Sequence, residues 1–195
     1  MAKGRDSLMD TKSLMVDIAT KLFQEKGYKG VGLSEILHAC TITKGAFYHY
    51  FPNGKEELLI TCLHSLSDTI TTDISFIFQQ HLSTLEATHA MIEKLIINFE
   101  INGTITGYTF SSMVSEMASF SEPVRYACEA QYEKIQKIYY GKLVTDGFSD
   151  EAASNISLFM TASIEGAMML CLTKKSPEPL RMTSKILIEG VLTRE

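Results

Sequence analysis

The chain has 195 residues, of which 45% are apolar and 21% charged, and its formal net charge at pH 7 is −5. This composition excludes collagen-like, disulfide-stapled and disordered chains, and the length allows one domain or a small module joined to a larger one. With 12 glycines and 4 prolines, a sandwich or barrel with many tight turns is disfavoured and helices are favoured.

The first predicted helix covers residues 11–26. Its apolar side chains recur at steps of three and four residues, which is typical of an amphipathic helix. Asp10 is predicted as its N-cap, and Gly27 is predicted to end it.

Two short helices are predicted next, over residues 34–40 and 44–50. Ser34 can cap the first of them and Thr43 the second. A fourth, long helix is predicted from Lys55 to about residue 80, with Asn53 or Gly54 at its cap. The remainder is predicted as further helices over 85–102, 108–119, 122–146, 150–174 and 179–193. The predicted fold is therefore all-α, with about nine helices.

Charge is distributed unevenly along the chain. Residues 1–55 carry eight Lys/Arg and five Asp/Glu, a net charge of +3, whereas residues 56–195 carry ten and eighteen, a net charge of −8. Only the basic front can favour an anionic polymer. The charge asymmetry therefore predicts two parts with different partners, residues 1–55 and residues 56–195.

The second and third predicted helices have the layout of a helix-turn-helix, because a tight link joins them and the later one opens on a hydroxyl cap and a lysine. The N-terminal end of such a helix presents free N–H groups and a positive dipole end to a DNA groove. The candidate DNA-binding residues are Ser34, Thr43, Lys44, Gly45, Ala46, Tyr48, His49 and Lys55. A short helical pair is also common in all-helical proteins, so the alternative is a unit that only packs.

These residues also resemble a known family. Ile42-Thr43-Lys44-Gly45, Phe47-Tyr48-His49 and Lys55-Glu56-Glu57-Leu58 are similar to the N-terminal signature of TetR/AcrR repressors, and YHYFPNGKEEL resembles their LmrA/YxaF-type, multidrug- and flavonoid-responsive subgroup. The resemblance implies that residues 44–50 form the recognition helix and that Tyr48, His49 and Lys55 contact phosphate. It also implies a DNA-binding domain over residues 1–55 and a C-terminal ligand-binding and dimerisation domain over residues 56–195. It also places Thr41 where the family usually has a turn glycine, so a positive φ there would be strained.

The larger part of the chain is rich in methionine and aromatic residues, which suit a pocket for apolar, flat ligands, although such residues more often form plain core. The candidate ligand-binding residues are Phe99, Phe110, Met113, Met117, Tyr126, Met160 and Met168. The charges placed centrally in these helices are Glu100, Glu116 and Glu165, for which a contact with a cation, a solvated position and a capping role are the alternatives.

The last two helices are predicted to form a two-fold dimer, because small residues at helical spacing allow close helix approach. The candidate interface residues are Phe159, Ser163, Gly166, Ala167, Leu187 and Val191. Packing of these helices within one chain is the competing interpretation.

The predicted function is a repressor that binds a palindromic DNA operator as a homodimer and is released by a small hydrophobic effector, with aromatic molecules among the candidates. No cofactor, metal or enzymatic activity is expected, and the four cysteines and five histidines lack the spacing of metal ligands. The absence of a signal-like segment predicts a cytoplasmic protein without membrane contact. The alternatives are an all-helical small-molecule-binding protein or enzyme without DNA binding, and a TetR-like activator.

Overall fold

The structure is a computed structural model that describes residues 3–103, 116 and 121–193, with side chains described from residue 11 onward. Within these ranges the regular structure is helical throughout, which confirms the all-α fold. The helices are α1 Lys3–Gly30, α2 Leu33–Cys40, α3 Lys44–Tyr50, α4 Lys55–Gln80, α5 Thr84–Asn102, α6 Glu122–Thr145, α7 Asp150–Lys174 and α8 Glu178–Ile186, which runs into a π-helical turn, Leu187–Val191.

The first helix begins earlier than predicted. α1 starts at Lys3, so Asp10 lies inside the helix and its prediction as the N-cap was wrong. The segment before Asp10 contains no proline, and nothing in it prevents the helix from extending toward the N-terminus. The predicted break at Gly27 is confirmed, because this residue has φ 71° and ψ 165° within the span of α1.

The second and third helices form as predicted, with one different cap. Gly32 is the N-cap of α2 and makes no side-chain hydrogen bond, so the predicted cap Ser34 lies instead, exposed, in the first turn. The predicted cap of α3 is confirmed, because Thr43 Oγ1 accepts a hydrogen bond of 3.1 Å from the Ala46 N–H. The side chains that close the core of this small unit are Phe23, Ile36, Phe47 and Phe51, each at most 1% exposed.

Thr41 links α2 to α3 in the left-handed region, with φ 55° and ψ 43°. The expected positive φ is therefore present on a β-branched residue, for which this region is sterically unfavourable. The turn is held by two backbone bonds, from the Thr41 N–H to His38 O and from the Ile42 N–H to Leu37 O. These bonds and the buried helices on either side hold the strained residue in place.

The long fourth helix matches its predicted bounds, Lys55–Gln80. Gly54 lies immediately before it with φ 79°, and its carbonyl accepts the Leu58 N–H. The Asn53 backbone N–H is bound by Glu57 Oε2 at 2.8 Å. The positive φ of residue 54 favours glycine, because a residue with a Cβ is strained in this conformation.

The C-terminal helices are also close to prediction. α5, α6 and α7 begin and end within one residue of the predicted positions. The final helix does not continue to residue 193 in α-helical form, because the chain widens to a π-helical turn at Leu187–Val191. The predicted helix over residues 108–119 lies outside the described residues, apart from Glu116, which is helical.

The chain divides into two compact units, Met1–Ser67 with Ser112–Glu129, and Asp68–Ser111 with Ala130–Glu195. The functional domains expected over 1–55 and 56–195 remain a prediction. In the second unit, α7 is long and apolar enough to span a membrane by length and composition alone, but eight of its residues are buried. Six of these eight belong to the hydrophobic core that α7 shares with α5, α6 and α8, which is the ordinary reason for such a composition.

Replacing Thr41 with glycine is expected to raise the free energy of unfolding by about 1 kcal/mol, because the left-handed backbone then carries no Cβ. Urea unfolding followed by circular dichroism measures the change. Thr43→Ala is the matched control and should lower the stability by about 1 kcal/mol through loss of the N-cap bond. A Thr41→Gly protein less stable than the wild type would contradict strain at this turn.

Candidate functional site

α3 presents one accessible face of the helix-turn-helix to solvent. Thr43, Lys44, Gly45, Tyr48 and His49 are exposed, with Tyr48 at 42%. Phe47, between them in sequence, is fully buried, so the helix has one face fixed in the core and the other open to solvent. This arrangement leaves the polar side chains of Lys44, Tyr48 and His49 accessible to an anionic surface, while Thr43 caps the Ala46 N–H.

Two small residues, Gly45 and Ala46, lie at the N-terminal end of α3. A Cβ built on Gly45 would meet only Thr43 Oγ1, at 3.9 Å, so the glycine backbone is exposed rather than packed. Ala46 is half-buried. The Lys44 ammonium lies 5.9 Å from the centre of the Tyr48 ring, which places a cation beside a phenol hydroxyl. Their roles in DNA binding, with that of exposed Ser34, stay predictions.

Lys55 occupies a different environment from the other candidate DNA-binding residues. Its Nζ donates hydrogen bonds of 2.8 Å to the carbonyls of Tyr28 and Val31 and lies 3.9 Å from the centre of the Tyr28 ring. Burial lowers the pKa of this ammonium, and the Glu116 carboxylate opposes that shift. Two of its three N–H donors are thus used within the chain, while its predicted phosphate contact stays a prediction.

The Glu116 carboxylate accepts hydrogen bonds from backbone N–H groups of the same segment that Lys55 binds. Its Oε2 accepts the Tyr28 N–H at 3.0 Å, and its Oε1 accepts the Lys29 N–H at 2.9 Å. A Cβ on Gly27 would meet Glu116 Oε2 at 3.0 Å, so only glycine allows this approach. Of the alternatives considered from the sequence, capping describes Glu116 best, because each carboxylate oxygen takes one backbone donor.

A cavity of about 320 Å³ lies in the second unit. Its walls come from α4, α5, α6 and α7, and the volume is at the lower end of the roughly 300–1,000 Å³ range of ligand pockets. The lining residues are Thr69, Ile70, Asp73, Ile74, Ile77, Met91, Lys94, Leu95, Asn98, Gln131, Tyr132, Ile135, Tyr139, Thr161, Ile164, Glu165 and Met168. Most of these side chains are apolar or aromatic, so the cavity suits a small hydrophobic molecule.

The predicted ligand residues are distributed differently. Met168 lines the cavity, but Phe99 and Met160 are buried in the core beside it. Tyr126 belongs to the first unit and is exposed, with the Arg125 guanidinium 4.2 Å from its ring centre. The remaining candidates, Phe110, Met113 and Met117, lie outside the described residues. The apolar character of the wall was foreseeable, but the face of each helix that lines it depends on packing.

Glu165, one of the central charges singled out from the sequence, lines the cavity, but Asp73, Lys94, Tyr139 and Gln131 were missed by sequence reasoning. Asp73 and Lys94 form an ion pair, and the buried Tyr139 hydroxyl donates to Met91 Sδ at 3.3 Å. Burial, with a smaller contribution from Glu165, raises the pKa of Tyr139. Gln131 is 1% exposed, and neither its amide nitrogen nor its amide oxygen has a hydrogen-bond partner in the part of the chain described here. No local sequence signal marks this glutamine.

The predicted dimer residues divide between surface and core. Phe159 is 47% exposed, Ser163, Gly166 and Val191 are half-buried, and a Cβ on Gly166 would meet no atom within 4 Å. Ala167 and Leu187 are 3% and 1% exposed in the core of their own chain. For these two residues the competing interpretation, packing within one chain, describes the structure, because their faces point inward.

An apolar outer face follows α7 and α8. It consists of side chains that are exposed at helical spacing, namely Leu158, Phe159, Ala162, Met169, Leu170, Met182 and Ile186. Exposed apolar residues arranged in such a stripe mark a surface for a partner more often than singly scattered ones do.

The four cysteines are buried and form no disulfide. Burial raises the pKa of Cys62 to about 12 and that of Cys128 to about 11, and it also raises the pKa of Cys40 and Cys171. Near neutral pH these groups are therefore thiols rather than reactive thiolates.

Two family models match the chain. The model of bacterial regulatory proteins of the tetR family matches residues 16–62, which include α2 and α3. The model of the transcriptional regulator LmrA/YxaF-like C-terminal domain matches residues 84–186, which include three of the helices that line the cavity. The two matches thus include the exposed face of α3 and three of the four helices that line the cavity.

Individual proteins support the same relationship. The chain is 31% identical to the HTH-type transcriptional regulator YxaF of Bacillus subtilis (strain 168), over 90% of this chain and 92% of YxaF, and 32% identical to LmrA of the same organism, over 88% and 91%. Among solved structures, Escherichia coli NemR in its reduced form has a TM-score of 0.83 at 21% identity, covering 95% of this chain and 99% of that chain. At that identity the likeness shows the fold.

Replacing Glu116 with glutamine is expected to lower the free energy of unfolding by about 1–3 kcal/mol, because one acceptor oxygen becomes an NH₂ group facing a backbone N–H. Thermal unfolding of both proteins measures the difference. Glu122→Gln is the matched control, since its exposed ion pair with Arg125 should contribute less than 1 kcal/mol. Equal effects of the two changes would show that the backbone bonds of Glu116 add no stability.

Proposed function

The chain belongs to the TetR family of transcriptional regulators, in its LmrA/YxaF-like group, and from this premise we propose that it represses transcription by holding a palindromic operator as a homodimer until a small hydrophobic effector binds. Its relatives are regulators rather than enzymes. Family membership therefore removes the alternative of an enzyme or a carrier without DNA binding.

The observation that carries the proposal is the exposed face of α3, from its cap Thr43 to His49. Thr43 fixes the first turn by accepting the Ala46 N–H, and Lys44, Tyr48 and His49 remain on the surface. In a major groove these donors would reach phosphates, while Gly45 and Ala46 permit close approach to base edges. Because the DNA is in the cytoplasm of a bacterium, we propose that the protein acts there.

Homodimer formation is proposed through the apolar outer face of α7 and α8. Two copies of this stripe would bury their exposed Phe159 and Leu170 side chains against each other, and the open space above Gly166 would allow the helices to approach closely. A two-fold dimer presents two recognition helices, which suits a palindrome whose half-sites are about 34–36 Å apart.

The cavity is proposed as the effector site. Release of the operator requires that the effector bind the released conformation more tightly than the DNA-bound one, because equal affinity shifts no equilibrium. α4 is the proposed route of coupling between the cavity and the helix-turn-helix. Its residues from Thr69 to Ile77 line the cavity, and Lys55 at its start binds the carbonyls of Tyr28 and Val31.

The experiment that tests the function is a gel shift with the DNA immediately upstream of the protein's own gene, using scrambled DNA of equal length as the control. A sequence-selective complex is the expected result, and its absence would contradict the proposal. A reporter gene under the same promoter separates a repressor from an activator, because deletion of the regulator should raise expression for a repressor and lower it for an activator.

Replacing Lys44 with alanine is expected to weaken operator binding roughly ten-fold and to reduce the slope of log affinity against log salt by about one, because one phosphate contact is lost. Tyr48→Phe removes only the hydroxyl and should weaken binding without changing the fold. Fluorescence anisotropy at several salt concentrations measures both effects, and unchanged titrations would remove these residues from the interface.

Lys55→Met serves as the comparison for that titration. If Lys55 contacts phosphate as predicted, this variant also lowers the salt slope by about one. If its ammonium stays on the carbonyls of Tyr28 and Val31, the variant loses stability while its slope remains that of the wild type.

Replacing Phe159 with glutamate is expected to convert the dimer to monomer at micromolar concentration, because each interface would bury two uncompensated carboxylates. Sedimentation velocity measures the assembly state, and operator affinity should fall with it. Phe76→Glu is the matched control, since Phe76 is exposed to a similar extent on α4 outside the proposed interface. A dimer that persists in Phe159→Glu would contradict this assignment of the interface.

A further inference from the structure

Gln131 has an unusual position in the wall of the cavity. It lies on α6 with 1% of its surface exposed, and both polar atoms of its amide are buried without a partner among the described residues. A primary amide can donate two hydrogen bonds and accept two. Leaving such a group unpaired in a protein interior is costly, so an unpaired amide in the wall of a pocket needs an explanation.

The groups around Gln131 do not supply that partner. Across the described wall, Asp73 is paired with Lys94, the Tyr139 hydroxyl is bound to Met91 Sδ, and the Thr161 hydroxyl donates to Ser157 O at 2.9 Å. The nearby wall contributed by α4, α6 and α7 includes Ile70, Ile74, Ile135 and Ile164. Gln131 is therefore a polar group with unused donors and acceptors at the edge of an apolar cavity.

We propose that the cavity selects an uncharged effector whose apolar body carries a hydrogen-bonding group with both a donor and an acceptor, and that Gln131 is the residue that recognises this group. The inference rests on the proposed function of the cavity as the effector site. It goes beyond a hydrophobic effector, because a pure hydrocarbon would leave the amide unpaired whereas an amide or an adjacent hydroxyl and carbonyl would satisfy it.

Selectivity of this kind has a physical basis. A pocket that offers a buried hydrogen-bonding group rejects the ligand that lacks the matching group, since the protein group then remains desolvated and unpaired. An apolar wall alone discriminates weakly between ligands of equal shape. Gln131, whose buried amide has no partner among the described residues, therefore determines in this proposal which of several similarly shaped molecules binds tightly.

The test compares naphthalene-2-carboxamide with 2-isopropylnaphthalene, which has nearly the same shape and no hydrogen-bonding group. Isothermal titration calorimetry of the full chain measures both affinities in the wild type, in Gln131→Met and in Met168→Leu. Methionine matches the length of glutamine without its amide, and Met168→Leu alters an apolar wall residue as the control. A third probe, 2-(aminomethyl)naphthalene, carries a positive charge that Glu165 or Asp73 could attract.

The expected result is that the wild type and Met168→Leu share a preference for the carboxamide, and that Gln131→Met reduces this preference ten-fold or more. The ligand-free Gln131→Met protein should also melt at a higher temperature than the wild type, because an unpaired buried amide has been removed; this measurement shows that the variant folds. An unchanged preference in Gln131→Met, no binding of any probe to the wild type, or tightest binding of the cationic probe in both proteins would each overturn the inference.

The operator complex separates this inference from the proposed function. Each probe that binds is added to the protein bound to its operator, and release is followed by fluorescence anisotropy. Release by the carboxamide that depends on Gln131 supports both proposals. If the carboxamide binds through Gln131 but leaves the operator complex intact, recognition by Gln131 stands and the assignment of the cavity as the effector site fails.

Discussion

The backbone that follows the break at Gly27, at the end of α1, is held between two opposite charges, and the geometry of the helix-turn-helix depends on this contact. Gly27 turns the chain with a positive φ, Glu116 binds the N–H groups of Tyr28 and Lys29, and Lys55 binds the carbonyls of Tyr28 and Val31. Backbone groups leaving a helix need partners, and here two charged side chains supply them, one of which begins α4.

The polar side chains of α3 and the amide of Gln131 differ in their exposure to solvent. On α3 the polar side chains are exposed and hydrated, so they can exchange water for phosphate at little cost. In the cavity, Gln131 is buried in an apolar wall where an unpaired amide is unfavourable. The polar side chains of Lys44, Tyr48 and His49 on α3 are therefore accessible to solvent, whereas the amide of Gln131 is not.

Local features of the fold were predictable because their causes are local. The cap at Thr43, the break at Gly27 and the bounds of α4 all follow from residues within a few positions, whereas the positive φ of Thr41 was expected from the family resemblance. The errors at Asp10 and Ser34 are of the same kind, since a residue that can cap a helix does so only when the chain on its N-terminal side leaves the helix. Neither error altered the predicted topology.

The sequence by itself determined an all-α chain with a helix-turn-helix at its basic end, because periodicity, caps and motif order are properties of neighbouring residues. Only the tertiary structure decided that Lys55 and Glu116, which are 61 positions apart in the chain, hold the same turn. It also decided that Gln131 rather than Phe99 or Met160 faces the cavity. The inward orientation of Ala167 and Leu187 is a third outcome of this kind. Those outcomes depend on how helices rotate and pack against one another, which no local pattern specifies.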